Sequence, residues 1–425
     1  MPAVSPADRV RTALRHEVPD RLPLDLGATF VSGIHVSCVA ALRRHFGLGD
    51  APVRITDPGQ MLGEVADDLK RILEIDTEPV FKRGTKFGFP MTDWKTFRMD
   101  DGLEVLVPGL FNTTRDTDGG TLLHPQGDLS APPCAKMPAG GYFFDAIVRQ
   151  LPIDEDALDP ADNLEEFGAI SEAELDWLDQ ESRRARATGR AVVASFGGTS
   201  FGDIALVPGM ALKHPRGIRD VAEWYMSVSA RREYVRKVFE GQCAIAIQNL
   251  ERTAARVGDR VDVINICGTD FGTQTSSFCS AATFNDLWAP LYKQVNDWVH
   301  RHTSWRTFKH SCGAVSKFVE PFLACGFDIL NPVQCSAAGM DPQTLKDNYG
   351  DRLVFWGGGV DTQKTLPFGT PAQVREEALR RCEVFARGGG FVFNTVHNIQ
   401  AGTPVENILA LYDAVNEFRG LAPAV

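Results

Sequence analysis

Eight short apolar runs, each six or seven residues long, alternate with longer helical patterns along almost the whole chain. Such alternation is typical of βα units that build a parallel sheet. In a chain of 425 residues, eight strands of this kind predict an α/β fold, a (β/α)8 TIM barrel. The predicted strands cover residues 22–27, 74–80, 191–197, 261–267, 304–310, 327–333, 353–358 and 391–396.

One segment, residues 82–160, interrupts this alternation. It is rich in Gly, Pro, Asp and Thr, as in FNTTRDTDGGTLLHPQGD, and it predicts hairpins or loops inserted after the second strand of a single barrel domain, residues 1–425. An insertion there lies at the catalytic face, so a lid or specificity element is expected. A structural excursion or a dimerisation arm is the alternative, which leaves a homodimer open.

Charge and hydropathy exclude several classes of partner. The formal net charge is -11 and the sequence pI is about 5.4, which argues against nucleic acid and favours a small-molecule substrate. No apolar stretch of about 18 residues and no leader-like N-terminus is present, so we expect no membrane span and a cytoplasmic location.

Two late helices carry start signals in the sequence. Thr370-Pro371-Ala372-Gln373 and Thr403-Pro404-Val405-Glu406 each combine a Thr N-cap, a proline at the first helical position and Gln or Glu three residues after the cap. Both therefore predict a capping box.

Polar side chains follow most of the later predicted strands. Because the carboxyl ends of barrel strands converge on one mouth, residues far apart in sequence are expected to meet there. The candidates are Asp270 and Gln274 after the fourth strand, His310 and Cys312 after the fifth, Asn331 and Gln334 after the sixth, Asp361 after the seventh, and His397 and Gln400 after the eighth.

Three of these residues form a candidate metal site. His310 and Cys312 are two positions apart, so on an extended chain they face the same way. With His397 they make a Cys/His2 set with an open fourth position, the arrangement expected of catalytic zinc. Cys335 is a reserve ligand. In the alternative, both histidines bind a substrate carboxylate by hydrogen bonds and Cys312 only fills space.

The remaining candidates are carboxylates and amides. Asp270 and Asp361 are candidate catalytic acid/base or orienting groups, because a carboxylate in a partly dry barrel mouth readily acquires a raised pKa. Alternatively they cap turns, and Asp361 could begin a helix. The candidate substrate-binding side chains are Gln274, Asn331, Gln334 and Gln400, which could equally satisfy backbone groups.

At these residues the chain resembles the uroporphyrinogen decarboxylase superfamily, and within it the branch of corrinoid-dependent methyltransferases. The resembling motifs are RVRTALRHEVPDRLPLDLG (9–27), GTDFGTQ (268–274), HSCGAVSKFVEPFLACGFDILNPVQ (310–334), GGGVDTQ (357–363) and HNIQAGTPVENI (397–408). The resemblance covers nearly the whole chain and implies a (β/α)8 barrel.

Two departures from the family pattern refine the expectation. The true decarboxylases hold their acidic tetrapyrrole with an arginine-rich segment, whereas the corresponding ATFVSGIHVSC (28–38) has no arginine before Arg43. Thiol-methylating members hold zinc through a His-x-Cys pair and a distant Cys; the pair matches His310 and Cys312, and His397 stands where the distant Cys is expected.

The resemblance therefore implies a zinc-assisted methyltransferase that moves a methyl group between a small methylated compound or acceptor and a corrinoid (cobalamin). A separate protein is expected to carry the corrinoid, because the chain has no Asp-x-His-x-x-Gly motif. Two alternatives stay open: a metal-free decarboxylase or lyase of a carboxylated ring compound, and a tetrapyrrole- or corrinoid-binding protein without catalytic activity.

Overall fold

The computed structural model describes residues 4–422 apart from the side chain of Cys267. The strands are β1 (Val53–Asp57), β2 (Leu62–Gly63), β3 (Thr77–Phe81), β4 (Lys95–Arg98), β5 (Glu104–Val107), β6 (Thr113–Arg115), β7 (Thr121–Leu123), β8 (Ala135–Met137), β9 (Asp145–Ala146), β10 (Ala191–Ser195), β11 (Val263–Cys267), β12 (Arg306–His310), β13 (Ile329–Asn331), β14 (Val354–Trp356) and β15 (Phe391–Val392).

The helices are α1 (Pro6–Leu14), α2 (Val36–His45), α3 (Asp67–Ile72), α4 (Glu172–Ala187), α5 (Val221–Ala230), α6 (Arg232–Val257), α7 (Ala281–Leu287), α8 (Ala289–His302), α9 (Val319–Ala324), α10 (Pro342–Tyr349), α11 (Thr365–Phe368), α12 (Pro371–Phe385) and α13 (Val405–Phe418). Within residues 4–422, no helix combines the length and apolar character needed to cross a membrane.

The predicted (β/α)8 barrel is confirmed. Seven strands form one parallel sheet in the order β15-β14-β13-β12-β11-β10-β3. The backbone around Leu24 supplies the eighth position: Leu24 bridges Phe393 in parallel, Asp25 N donates to Phe393 O over 2.8 Å, and Asp76 N donates to Leu24 O over 2.8 Å. These bonds join the two edges of the sheet.

Two apolar clusters lie on the two sides of the strand wall. The inner cluster includes Val193, Val263 and Phe308, and helix α1 closes it from below with Val10 and Leu14. The outer cluster lies between the strands and the surrounding helices and includes Val192 and Ile264. Neighbouring strand residues thus point alternately inward and outward, as the pleat requires.

Two excursions build additional sheets. The first lies between Leu24 and β3 and contains β1 and β2, which the sequence analysis missed; together with β5 and β4 from the segment 82–160 they form a sheet of order β2-β1-β5-β4. The same segment also forms the antiparallel sheet β6-β7-β8-β9. The segment 82–160 therefore consists largely of hairpins.

The two predicted helix starts have different outcomes. At Thr370 both hydrogen bonds of the capping box are present. At Thr403 the prediction is wrong, because α13 begins at Val405 with Pro404 as its N-cap and without a side-chain cap. Thr403 Oγ1 instead donates to Gln400 O over 2.8 Å, so its hydroxyl stabilises the preceding turn.

A buried ion network joins the first and last helices, α1 and α13, to the N-terminal end of the barrel strands. Asp76, just before β3 and 1% exposed, pairs with Arg9 of α1 over 2.5 Å and with Arg419 after α13 over 2.9 Å. Its Oδ2 also accepts a hydrogen bond from Leu24 N over 2.9 Å. The Asp76 carboxylate thus links α1 and the end of α13 to the backbone at Leu24, which closes the barrel.

We expect Asp76→Ala to lower the free energy of unfolding by about 3–5 kcal/mol, because it leaves buried guanidinium groups without their carboxylate. Urea unfolding followed by circular dichroism measures the change. The control is Asp347→Ala, which removes an exposed ion pair with Arg387 and should change stability little. A similar loss in both variants would contradict the role given to Asp76.

Candidate active site

The structure brings His310, Cys312 and His397 together at the barrel mouth. His310 ends β12, Cys312 follows two residues later, and His397 comes shortly after β15. One potential ligand atom from each lies within 4.8 Å of the other two. Cys312 Sγ is 3.4 Å from His310 Nε2, and the two imidazole centroids are 5.5 Å apart.

Asn331 determines which nitrogen of His310 faces this cluster. Its Nδ2 donates to Trp356 O over 2.8 Å, so its Oδ1 is the atom that lies 2.6 Å from His310 Nδ1. An amide oxygen only accepts, which places the proton on Nδ1 and leaves the lone pair on Nε2. The nitrogen beside Cys312 is therefore the one able to bind a metal.

Burial controls the protonation of the three residues. It lowers the pKa of His310 to about 4, assisted by the charge of Lys309, and the pKa of His397 to about 4, assisted by His310. Both imidazoles are therefore neutral at pH 7, the form that binds metals. Burial, followed by the nearby Asp270 carboxylate, raises the pKa of Cys312 well above its ordinary value.

Asp270 and Asp361, the two predicted carboxylates, have different surroundings. Asp270 Oδ1 accepts a hydrogen bond from Cys312 N over 2.7 Å and lies 3.8 Å from His310 Nε2, so it borders the cluster. Asp361 Oδ1 accepts from Gln363 N over 2.7 Å and Lys364 N over 3.2 Å. These bonds favour the turn role for Asp361.

The predicted amides and the reserve cysteine hold loops around the cluster. Gln334 Oε1 accepts from Gly313 N over 2.7 Å, which supports the loop after Cys312. The other contacts are Gln274 Nε2 to Gln363 Oε1 (2.6 Å), Gln400 Nε2 to Asn398 O (3.5 Å) and Cys335 Sγ to Val333 O (3.3 Å). Cys335 is not in the group formed by His310, Cys312 and His397.

Lys309 is a buried cation that the sequence analysis did not identify. Phe308 belongs to the inner cluster, so Lys309 points outward and His310 inward. Its Nζ donates to Thr269 O over 2.9 Å and to His310 O over 2.7 Å, and lies 5.1 Å from the centre of the Phe271 ring. It ties the loop of Asp270 to the end of β12.

A cavity of about 610 Å³ opens at the same mouth and reaches His310. This volume suits a small organic ligand. Its wall combines strand ends with both excursions, among them Phe81, Lys82 and Asn265 from the barrel and Phe30, Arg54 and Trp94 from the excursions. Of the four predicted substrate-binding amides, none belongs to the residues that line it.

Lys82 is the main cavity residue that sequence reasoning missed. It directly follows β3, so the strand-end test applied to the later strands would have selected it. The cavity residues Arg54 and Asp57 carried no such signal, because they belong to the unpredicted strand β1.

We expect Cys312 in chelator-treated protein to react slowly with iodoacetamide below pH 9, because the ordinary pKa of 9.0 is raised by burial and by Asp270. Asp270→Asn removes that negative charge, which lowers the pKa and shifts the reactivity profile to lower pH. Mass spectrometry of the Cys312 peptide across a pH series measures both profiles.

Asp361→Asn is the matched control, since Asp361 is not among the groups that shift Cys312. A wild-type reactivity profile with a midpoint at or below the ordinary cysteine pKa of 9.0 would contradict this electrostatic description. An equal shift of the Cys312 reactivity profile in Asp270→Asn and Asp361→Asn would also contradict it.

Comparisons with known proteins show what the chain is similar to. Residues 217–418 match the family model described as Uroporphyrinogen decarboxylase (URO-D). The uroporphyrinogen decarboxylase of Psychromonas ingrahamii is 33% identical over 87 residues, and that of Coxiella burnetii is 31% identical over 88 residues. Each alignment covers 20% of this chain and 24% of the relative, so the match spans about a quarter of the curated relatives' length.

Among solved structures, a methyltransferase from Methanosarcina mazei matches with a TM-score of 0.53 and 14% sequence identity, over 98% of this chain and 99% of that chain. At this identity the likeness concerns the fold. The chain is thus similar to the uroporphyrinogen decarboxylase family over residues 217–418, just under half of its length, and it shares a barrel fold with the methyltransferase structure.

Proposed function

We propose that this chain is a zinc-assisted methyltransferase that moves a methyl group between a small methylated compound or acceptor and a corrinoid carried by a separate protein. The observation that carries the proposal is the cluster of His310, Cys312 and His397, whose ligand atoms lie within 4.8 Å of one another at the edge of a ligand-sized cavity. The methyltransferase name of the Methanosarcina mazei neighbour supports the reaction class.

The donor set fits zinc. Tetrahedral zinc with bonds of about 2.0–2.3 Å places its ligand atoms roughly 3.3–3.7 Å apart. The 3.4 Å between Cys312 Sγ and His310 Nε2 agrees with this range, and the potential ligand atom of His397 lies within 4.8 Å of both. Two neutral imidazoles and one thiolate leave a fourth position for a substrate heteroatom.

Zinc bound there would act as a Lewis acid, which lowers the pKa of a thiol or polarises the heteroatom bonded to the methyl group. The chain's own residues orient and shield this chemistry. Asn331 keeps His310 Nε2 free of its proton, and Asp270 is placed to accept a proton close to Cys312. The cavity wall holds the reactants in line, which is the main contribution a protein makes to a displacement of this kind.

The decarboxylase alternative has support in the names of the curated relatives. Its discriminating feature would be arginines at the mouth that are free to hold substrate carboxylates, with no metal. Arginines do line the cavity, yet Arg184 is paired with Glu78 over 2.7 Å and Arg54 stacks on Trp94 at 5.4 Å. We therefore favour methyl transfer, and the experiment below distinguishes the two reactions.

We expect purified protein to contain about one zinc per chain and to methylate or demethylate a free corrinoid, which is visible as a change in its absorption spectrum. Cys312→Ala should lose both the zinc and the methyl transfer, because two imidazoles alone bind zinc weakly. Elemental analysis and the spectral assay of the same preparations measure these properties.

The control is Cys335→Ala, which removes a thiol outside the cluster and should keep the metal and the activity. A wild-type protein that is free of metal and releases CO2 from a carboxylated ring compound would overturn the proposal in favour of the decarboxylase. A protein that binds a corrinoid without metal or turnover would favour the non-catalytic alternative.

We expect Asn331→Leu to weaken zinc binding about 10–100-fold, because an outer-shell group that sets the tautomer of a ligand contributes on that scale. Competition with a chromophoric chelator measures the affinity. Gln343→Ala, which removes an exposed amide bonded to Asp347, is the control and should leave the affinity unchanged. Equal affinities in wild type and Asn331→Leu would show that Asn331 has only a structural role.

A further inference from the structure

The barrel-mouth cavity contains two lysines without an ion-pair partner in the described part of the chain, although the Nζ of Lys86 lies 5.7 Å from the centre of the Phe87 ring. Lys82 follows β3 and Lys86 lies four residues further on, and both line the cavity that reaches His310. Among residues 4–422, no carboxylate oxygen lies within the 4.0 Å of an ion pair from the Nζ of either lysine. Burial accordingly lowers the pKa of Lys82.

Two glycines make room for these side chains. A Cβ added at Gly197, after β10, would lie 2.6 Å from Lys82 Cδ and 3.5 Å from its Nζ. Gly197 also has a φ of +71°, which suits glycine. A Cβ at Gly59 would lie 2.5 Å from Lys86 Nζ. Lys82 therefore crosses from the end of β3 to the end of β10, packed along the wall.

The nearest acidic groups accept hydrogen bonds from backbone amides, although Asp57 and Asp203 line the same cavity. Those that act on Lys82 electrostatically are Glu174, Asp203 and Asp57. Each accepts a hydrogen bond from a backbone amide: Glu174 over 2.6 Å, Asp203 over 3.0 Å and Asp57 over 2.7 Å. Their carboxylates hold turns and do not contact the lysine ammonium groups.

Hydroxyl groups without partners line the same cavity. The Oγ atoms of Ser195 and Ser200 are buried and have no hydrogen-bond partner, and both residues belong to the cavity wall. Ser195 is 7% exposed and its carbonyl accepts from Lys82 N over 3.1 Å, so it adjoins Lys82. Buried polar groups of this kind call for a partner from outside the chain.

The cavity also offers an apolar surface to the body of a ligand. The rings of Phe30 and Phe81 stack at 4.3 Å between centroids, and both line the cavity. Phe81 precedes Lys82 in sequence, so ring and ammonium occupy adjacent parts of the wall. An apolar platform beside unpaired cations and hydroxyls suits a small organic anion.

We propose that the cavity binds a small organic anion whose carboxylate, sulfonate or phosphonate group ion-pairs with Lys82 and accepts a hydrogen bond from Ser195. Lys86 adds positive charge, the apolar part of the ligand lies on Phe30 and Phe81, and the end opposite the anion points toward His310. As a substrate class for methyl transfer the inference rests on the proposed function, whereas the anion site itself rests on the cavity alone.

The test compares ligands of one shape with different charge. Isothermal titration calorimetry is performed with benzoate, benzenesulfonate, phenylphosphonate and the neutral benzamide. We expect at least one anion to bind tenfold or more tightly than benzamide. The anion that binds most tightly identifies which acidic group, carboxylate, sulfonate or phosphonate, the cavity prefers. Lys82→Gln should lower the affinity for that anion to the affinity for benzamide. Lys82→Arg should keep most of the preference for the anion over benzamide.

The control variant is Lys237→Gln, which removes an exposed lysine of α6 and should bind like wild type. The inference is overturned if wild type binds none of the three anions, if it binds benzamide equally well, or if folded Lys82→Gln retains the preference. The comparison of ligands on wild type keeps the test decisive even if Lys82→Gln does not fold.

Zinc content measured on the same samples separates the two proposals. Protein without zinc that still prefers an anion overturns the methyltransferase proposal and leaves the anion site standing. Protein with zinc but without the preference overturns the anion site alone.

Discussion

Hydrogen bonds from the backbone around Leu24 to the strands on both sides close the barrel, and the arrangement of the mouth depends on this closure. Leu24 O accepts from Asp76 N, and Phe393 exchanges bonds with Pro23 and Asp25. Without them β3 and β15 would be the free edges of an open sheet. Closure brings the end of β15, and with it His397, round to His310 at the end of β12.

The strand pleat then distributes the side chains around the end of β12 between two environments. Phe308 and His310 face the inside of the barrel, where burial keeps the imidazole neutral, and Lys309 faces the aromatic layer outside. The Lys309 ammonium bonds to the carbonyls of Thr269 and His310. A charge on the outer face of the wall thus holds in place the loop that presents Asp270 to the inner face.

The sequence analysis identified the elements whose signals are local. Seven of the eight apolar runs overlap with strands of the parallel sheet and the first forms the bridge at Leu24, because their length and patterning match a buried parallel sheet. His310 and Cys312 were recognisable by their two-residue spacing, and His397 by its place after the last strand. In each case the prediction needed only the strand and the rule that strand ends converge.

Features that depend on distant partners were not predicted. Strand β1, VRITD, alternates buried and more exposed residues, and it pairs with β5 about fifty residues later, so the sheet that it joins is not visible in its local sequence. The sequence predicts Asn331 as a substrate-binding residue, whereas its bond to His310 becomes visible only in three dimensions. At Thr403 the hydroxyl that the sequence predicts as a helix cap bonds instead to the carbonyl of Gln400, and α13 begins at Val405.

We propose that His310, Cys312 and His397 hold a zinc ion at the mouth of this barrel through two imidazoles and one thiolate. Zinc K-edge X-ray absorption of the zinc-loaded protein tests it most directly. The account predicts a four-coordinate site with one sulfur at about 2.3 Å and two imidazole nitrogens at about 2.0–2.1 Å. A first shell of oxygen and nitrogen without sulfur, or a shell with two or more sulfurs, would contradict it.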